Sequence, residues 1–220
     1  MSPTRSGLAA ALILSSMAEA RSVEDVTRRY GADVRRRLAP HFERQRVDYP
    51  PAHVWLVALK EEKRLELWAG RREPRHVKDY DIQAASGVAG PKRRQGDLQV
   101  PEGLYRILWL NPNSSYHLSM KVDYPNEYDR ARARLDGRTN LGGDIFIHGR
   151  AVSIGCLAMG DPAIEELFVL AADVGVGNLQ VVIAPHDLRK RPASLGPRPD
   201  PSWLPELYAI VGEELRRFSR

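Results

Sequence analysis

The residues of this 220-residue chain best suited to chemistry lie between Asp144 and Asp161, DIFIHGRAVSIGCLAMGD, where His148 precedes Cys156, the sole cysteine, by eight positions. A thiol is a poor nucleophile until it ionises, and a free one titrates at about 8.5, so few per cent are thiolate at neutral pH. A neighbouring imidazolium would raise that fraction and make the sulfur an acyl acceptor. Gly155 would let a carbonyl approach, and the backbone N–H groups of Gly155 and Cys156 could face the developing oxyanion. Against this stand the ordinary uses of these residue types: a single buried Cys is a small hydrophobe, and an isolated His is more often structural. Zinc is the other use of a His and a Cys. It needs a second pair at ligand spacing, which is lacking, and His117 is the only other candidate upstream in this half. No metal and no cofactor is expected.

The flanking pattern indicates how the pair would be held. In Asp144–His148, Ile145 and Ile147 point one way and Phe146 and His148 the other, which puts the imidazole at the end of a strand whose far side is core. Gly149 permits a sharp turn, and a strand over Val152–Cys156 returning alongside would bring thiol and imidazole together across the pair. Further strands are expected over 53–60, 64–69, 77–84, 104–110, 115–122 and 179–184. Their irregular spacing predicts a mostly β (α+β) domain, a sandwich or barrel core rather than a doubly wound sheet. Trp55, Trp68 and Trp109 fall in these strands and are assigned to the core.

Helices bracket the strands. Val23–Leu38 is basic and amphipathic, with Ser22 as N-cap and Pro40 marking its exit. Asp161-Pro162 supplies an N-cap and a first-turn proline for a helix ending near Gly175, and Trp203–Phe218 forms the last helix. Two long segments remain. Ser86–Gly103 has four glycines and two prolines, typical of a loop lining a site. Asp123–Gly143 contains a helical turn at Asn126–Arg130. Neither has the glycine spacing of a P-loop or dinucleotide fingerprint.

The first twenty residues resemble a secretion signal, with Arg5, an apolar run from Gly7 to Met17 and Ala18-Glu19-Ala20 as a cleavage site. The run is too short to span a bilayer. The expected organisation is therefore a signal peptide (1–20), an N-terminal helical segment (21–49), a catalytic domain (50–188), and a linker with a C-terminal helix (189–220). The formal charge of +5 and clusters such as Lys92-Arg93-Arg94 would ordinarily suggest nucleic acid. An exported, periplasmic protein meets little of it, so no nucleic-acid partner and no transmembrane segment in the mature chain are expected. An export route also leaves a lone cysteine without an intrachain disulfide partner.

The segment resembles the active-site motif of the YkuD-type L,D-transpeptidases, in which a His-Gly pair precedes Ser-x-Gly-Cys, here His148-Gly149 and Ser153-Ile154-Gly155-Cys156. It is most similar to the YafK-like branch, through Lys60–Ala69, Gly90–Ile107, Asn111–Leu118, Tyr124–Ala131 and Gly142–Asp161. The resemblance implies a β-rich catalytic domain acting on peptidoglycan stem peptides. In that reading Cys156 attacks the carbonyl at the L-centre of diaminopimelate, His148 serves as base and then acid, and a thioester forms. It also implies support from Ser153, Gly149 and Gly155, with Tyr116 and His117 lining the cleft. Lys92 and Arg93 are candidate contacts for stem carboxylates.

Two departures qualify the resemblance. Ile154 stands where most members have histidine, and Ala158 where most have arginine. The missing arginine argues against ordinary crosslinking and for an altered leaving group or acceptor. The implied activity is hydrolysis of the link between peptidoglycan and an outer-membrane lipoprotein. The alternatives are a transpeptidase forming crosslinks or attaching lipoprotein, and a non-catalytic wall-binding domain.

Overall fold

The computed structural model describes residues 20–193 and 201–219. The segment read as an export signal, apart from Ala20, lies outside the described residues, as do positions 194–200 of the linker.

The centre of the molecule is β1 (His53–Leu59), an apolar strand buried on both faces. It pairs antiparallel with β2 (Arg64–Gly70), which pairs antiparallel with β3 (Arg75–Asp81). On its other side β1 runs parallel to β9 (Leu179–Ala184), and β9 pairs antiparallel with β5 (Gly103–Asn111). The sheet continues through β6 (Ser119–Val122), β7 (Phe146–His148), β8 (Leu157–Ala158) and β4 (Ala84–Ala85). These nine strands form one sheet in the order β3-β2-β1-β9-β5-β6-β7-β8-β4. The expected mostly β core with helices towards both ends is thus found, as a single mixed sheet.

Period-2 alternation sorts the sheet into two faces. The inner face carries Val54, Leu56, Ala58, Leu65, Leu67, Val181, Ile183, Ile107, Met120, Val122, Ile147 and Leu157. It is covered by α1 (Val23–Arg44), through Val26, Val34, Leu38 and Phe42, and by α3 (Asp161–Val174), through Ile164, Leu167 and Phe168. The outer face carries Trp55, Val57, Leu59, Trp68 and Val182, and α4 (Leu204–Leu215) covers it with Leu204, Leu207, Tyr208, Val211 and Leu215, joined by Phe218. At about 25 cal/mol per Å² of apolar surface removed from water, these two layers are the main source of stability. Helix α4 stops short of the far strands, so the outer face of β6 and β7 stays uncovered by it. A register shift in β5 between Ile107 and Trp109 turns Trp109 to that face, opposite Lys121. Trp109 is 46% exposed, not core as expected.

Local chemistry explains several boundaries. Ser22 and Asp25 form a reciprocal capping box at the start of α1. That helix runs through Pro40 instead of ending there. Pro40 is exposed, so the carbonyl it leaves unpaired meets water, while Leu38 and Phe42 on the buried side hold the axis. The turn foreseen at 126–130 is a full helix, α2 (Glu127–Leu135), capped by Asn126 and Asp129. Asp161 does not cap α3. Gly160 takes the cap position, and Asp161 Oδ1 accepts Arg150 N–H at 2.8 Å.

Candidate active site

Strand alternation puts Ser119 and Lys121 of β6 on the outer face, cross-paired with His148 and Phe146 of β7. Strand β8 runs parallel to β7 with His148 opposite Ala158 and Ile147 opposite Leu157. One further step of that register sets Cys156 opposite Phe146, on the same face as His148 and one step along. The expected strand over Val152–Cys156 is not formed. Ser153–Cys156 is a tight turn delivering the chain into β8, because Ser153 draws its neighbours' N–H groups inward instead of leaving them for a ladder. The partner segment therefore runs parallel to β7, not back along it.

Ser153 organises this turn. Its Oγ donates to Cys156 O at 2.7 Å and accepts the N–H groups of Cys156 at 3.1 Å and Gly155 at 3.2 Å. Ser86 N–H adds a contact at 3.3 Å. The Gly155 and Cys156 amides expected to face an oxyanion are thus bound to Ser153 in this conformation. Gly155 has φ +129°, a region open essentially to glycine, and a Cβ there would lie 3.3 Å from Gln99 O. The glycine-rich loop 86–103 is therefore the rear wall of the cysteine turn. It is fixed from beneath by the half-buried Lys60, whose Nζ reaches Gly90 O, Val100 O and Glu102 Oε1 at 3.0, 3.1 and 2.7 Å.

Cys156 Sγ sits between two backbone groups of the β7 segment. It accepts Phe146 N–H at 3.4 Å and faces Asp144 O at 3.6 Å. Burial pushes the thiol above its ordinary value, while the Phe146 N–H and the charges of Lys121 and Lys92 pull it down. His148 is 3% exposed. Its Nδ1 lies 2.6 Å from Gly149 O; a carbonyl can only accept, so Nδ1 carries the proton and Nε2 keeps its lone pair. Burial lowers the His148 pKa, opposed by that hydrogen bond. Both shifts favour the uncharged forms, a thiol and an imidazole, at rest.

Tyr116 stacks over the imidazole, ring centroids 4.6 Å apart, and is half exposed. It lies in the turn before β6, not in a strand as its alternation had suggested. Gly149 is sterically required: a Cβ would fall 2.7 Å from both Tyr116 O and Asp161 Oδ1. His117 points elsewhere. Its backbone has φ +73°, its Nε2 meets Glu165 at 2.9 Å, and its ring packs edge-on to Tyr30; the left-handed turn swings it from the cleft onto α1 and α3. Lys92 is buried and bonded to Asp97 Oδ1 at 2.7 Å and Arg94 O at 2.9 Å, so it staples its own loop and does not offer its charge to a stem carboxylate. Arg93 uses its N–H on Asp97 and its carbonyl on Arg138, and lines a separate hollow with Arg94 and Asp97.

Sequence reasoning missed Lys121. It reaches Gly143 O and Asp144 Oδ1, and its Nζ sits 4.7 Å from the centroid of Phe146. The available signal was a cation inside Ser119–Val122, where every neighbour is buried.

A mixed sheet carrying a lone thiol and a buried imidazole on its outer face defines a class of cysteine-bearing β domain. The L,D-transpeptidase catalytic domain family, YkuD, matches residues 53–183, and the chain belongs to it. The chain is 38% identical over 138 residues to "Putative L,D-transpeptidase YafK" of Escherichia coli K12, an alignment covering 60% of this chain and 54% of that protein. The corresponding protein of Escherichia coli O157:H7 matches equally. The chain thus spans about half the length of the curated relatives it matches. Among solved structures, the helical cell shape determining protein Pgp2 of Campylobacter jejuni superposes with a TM-score of 0.50 and 22% identity, over 61% of this chain and 48% of that one. Its K307A mutant gives 0.51 and 18%, over 77% and 56%. These structures are alike in fold.

Proposed function

We propose that this protein is an exported cysteine enzyme of the cell envelope that acts on peptidoglycan stem peptides at the L-centre of diaminopimelate and hydrolyses the bond to an attached outer-membrane lipoprotein. Cys156 is its nucleophile and His148 its base and acid. The observation that carries this reading is a sulfur cradled by Phe146 N–H on the same sheet face as an imidazole whose Nδ1–H is fixed on Gly149 O. Family membership and the likeness to YafK support it, and no helix among the described residues is long and apolar enough to cross a membrane.

In this mechanism the Sγ proton passes to His148 Nε2 as sulfur bonds to the substrate carbonyl carbon. The resulting imidazolium gives the proton to the departing amine nitrogen as the C–N bond breaks, leaving a thioester. Water then loses a proton to Nε2 and attacks the thioester; as the C–S bond breaks and the acid leaves, Nε2 returns that proton to Sγ. The Gly155 and Cys156 amides can serve an oxyanion only after turning from Ser153, so Ser153 holds the turn in register between cycles. Hydrolysis is favoured over transfer because the position two after the cysteine is Ala158, buried and paired with His148, so no side chain there can hold an acceptor stem. An amine in place of water would make the same site a transpeptidase.

The test is incubation of the protein, and of Cys156→Ala, with sacculi carrying bound lipoprotein, followed by mass spectrometry. Cys156-dependent release of lipoprotein or stem fragments is the expected result. New crosslinks would make it a transpeptidase, and no change with either protein would leave a wall-binding domain.

A further inference from the structure

Lys121 is a cation inside a sheet, 12% exposed, and its contacts all lead to one atom. Its Nζ binds Gly143 O and Asp144 Oδ1, at the entry to β7, and lies over the Phe146 ring. The backbone carbonyl of Asp144 and the N–H of Phe146 are the two groups against Cys156 Sγ. Lys121 and Phe146 are cross-strand partners on the outer face, and Trp109 packs edge-on to Phe146 from behind, centroids 5.8 Å apart. The ammonium therefore ties down the strip of chain from which the sulfur cradle is made.

We propose that Lys121 is a positioning residue for Cys156: it clamps Gly143–Phe146 so that the Phe146 N–H stays on the sulfur, and its charge stabilises the thiolate as it forms. The proposal rests on the reading of Cys156 as nucleophile. Three charged groups act on the sulfur, Lys121 from β6, Asp144 from the entry to β7 and Lys92 from the glycine-rich loop, and His148 shares its face of the sheet. Lys92 is neutralised by Asp97. The Asp144 carboxylate is 96% exposed and largely screened. His148 is uncharged at rest. Lys121 is thus the cation whose field reaches the thiol least opposed, and its Coulombic pull on Cys156 exceeds that of Lys92.

Because Cys156 is the sole cysteine, iodoacetamide labelling of the whole protein reads it without ambiguity. The pH midpoint of labelling is expected to rise by about one unit in Lys121→Met, about tenfold slower labelling near neutral pH. It should return to within about threefold of the parent rate in Lys121→Arg, which keeps the charge. An unmoved midpoint in Lys121→Met overturns the proposal, and should Lys121→Met not fold, Lys121→Gln, which keeps a hydrogen-bond donor but no charge, decides it in the same way. Labelling needs no turnover, so these outcomes are independent of the sacculus assay: a Cys156→Ala protein that still cleaves sacculi removes the nucleophile reading, whereas a flat labelling profile removes only the role of Lys121.

Discussion

A base must be uncharged before it can take a proton, and burial of His148 lowers its pKa below the ordinary 6.5. The acidic limb of the activity profile should therefore fall at lower pH than an unperturbed histidine would give, measured as turnover of sacculi between about pH 4 and 7. The same shift has a stability sign. A lowered folded pKa means His148 stabilises the fold above the unfolded value near 6.5, and that contribution is lost as pH falls through the folded value. Gly149→Ala is the sharpest steric test. Its Cβ would strike the backbone carbonyl of Tyr116, so the stacking turn must move off His148. Cleavage is expected to fall by at least tenfold and stability by about 1–3 kcal/mol, read from turnover and denaturant midpoints. Much of this site was legible: a His-Gly pair, a Ser-x-Gly-Cys turn and a Tyr nearby are patterns of residue type. The direction of the Gly155 and Cys156 amides was not, because it depends on which acceptor is nearer, and Ser153 Oγ lies in their own turn. Lys121 was illegible for a related reason: its part arises from cross-strand pairing with Phe146, twenty-five positions away in the chain.

Among the elements, strands long enough to show alternation were readable, and β9 spans the residues expected, Leu179–Ala184. The two-residue strands β4 and β8 were not, since two residues hold no period and both exist only by pairing with each other and with β7. His117 and Tyr116 read as strand because they alternate with Leu118, but a left-handed turn at His117 breaks the run before β6. Helix α2 brings its own pH dependence. Asp129, in its capping box, is pushed up to about 6 by burial against Tyr105. A raised folded pKa gives stability that is full below the unfolded value near 4 and lost as pH rises through about 6. Asp129→Asn should flatten the stability profile between about pH 4 and 6, a change on the order of 2–3 kcal/mol in denaturant melts.

Across the whole molecule, Arg189 joins what the chain order separates. Its guanidinium meets Glu66 of β2 at 3.0 and 3.1 Å, Asp187 at 2.6 and 3.0 Å, and Phe218 O beyond α4 at 2.7 Å. Glu66 and Asp187 are buried, so removing the guanidinium takes a cation from two carboxylates, Glu66 keeping Arg64 and Trp68. Arg189→Ala should cost about 3–5 kcal/mol, while Arg189→Lys, which keeps charge but not the fork, should lose less; guanidinium melts with an unchanged slope would show that the loss is in the folded state. The sheet order has a consequence for the protein's birth. Strand β9 is the last of the nine strands in chain order yet lies between β1 and β5, so until Leu179–Ala184 has emerged the two halves of the sheet have no edge in common. The place of one strand thus keeps the sheet open until all nine strands have been made.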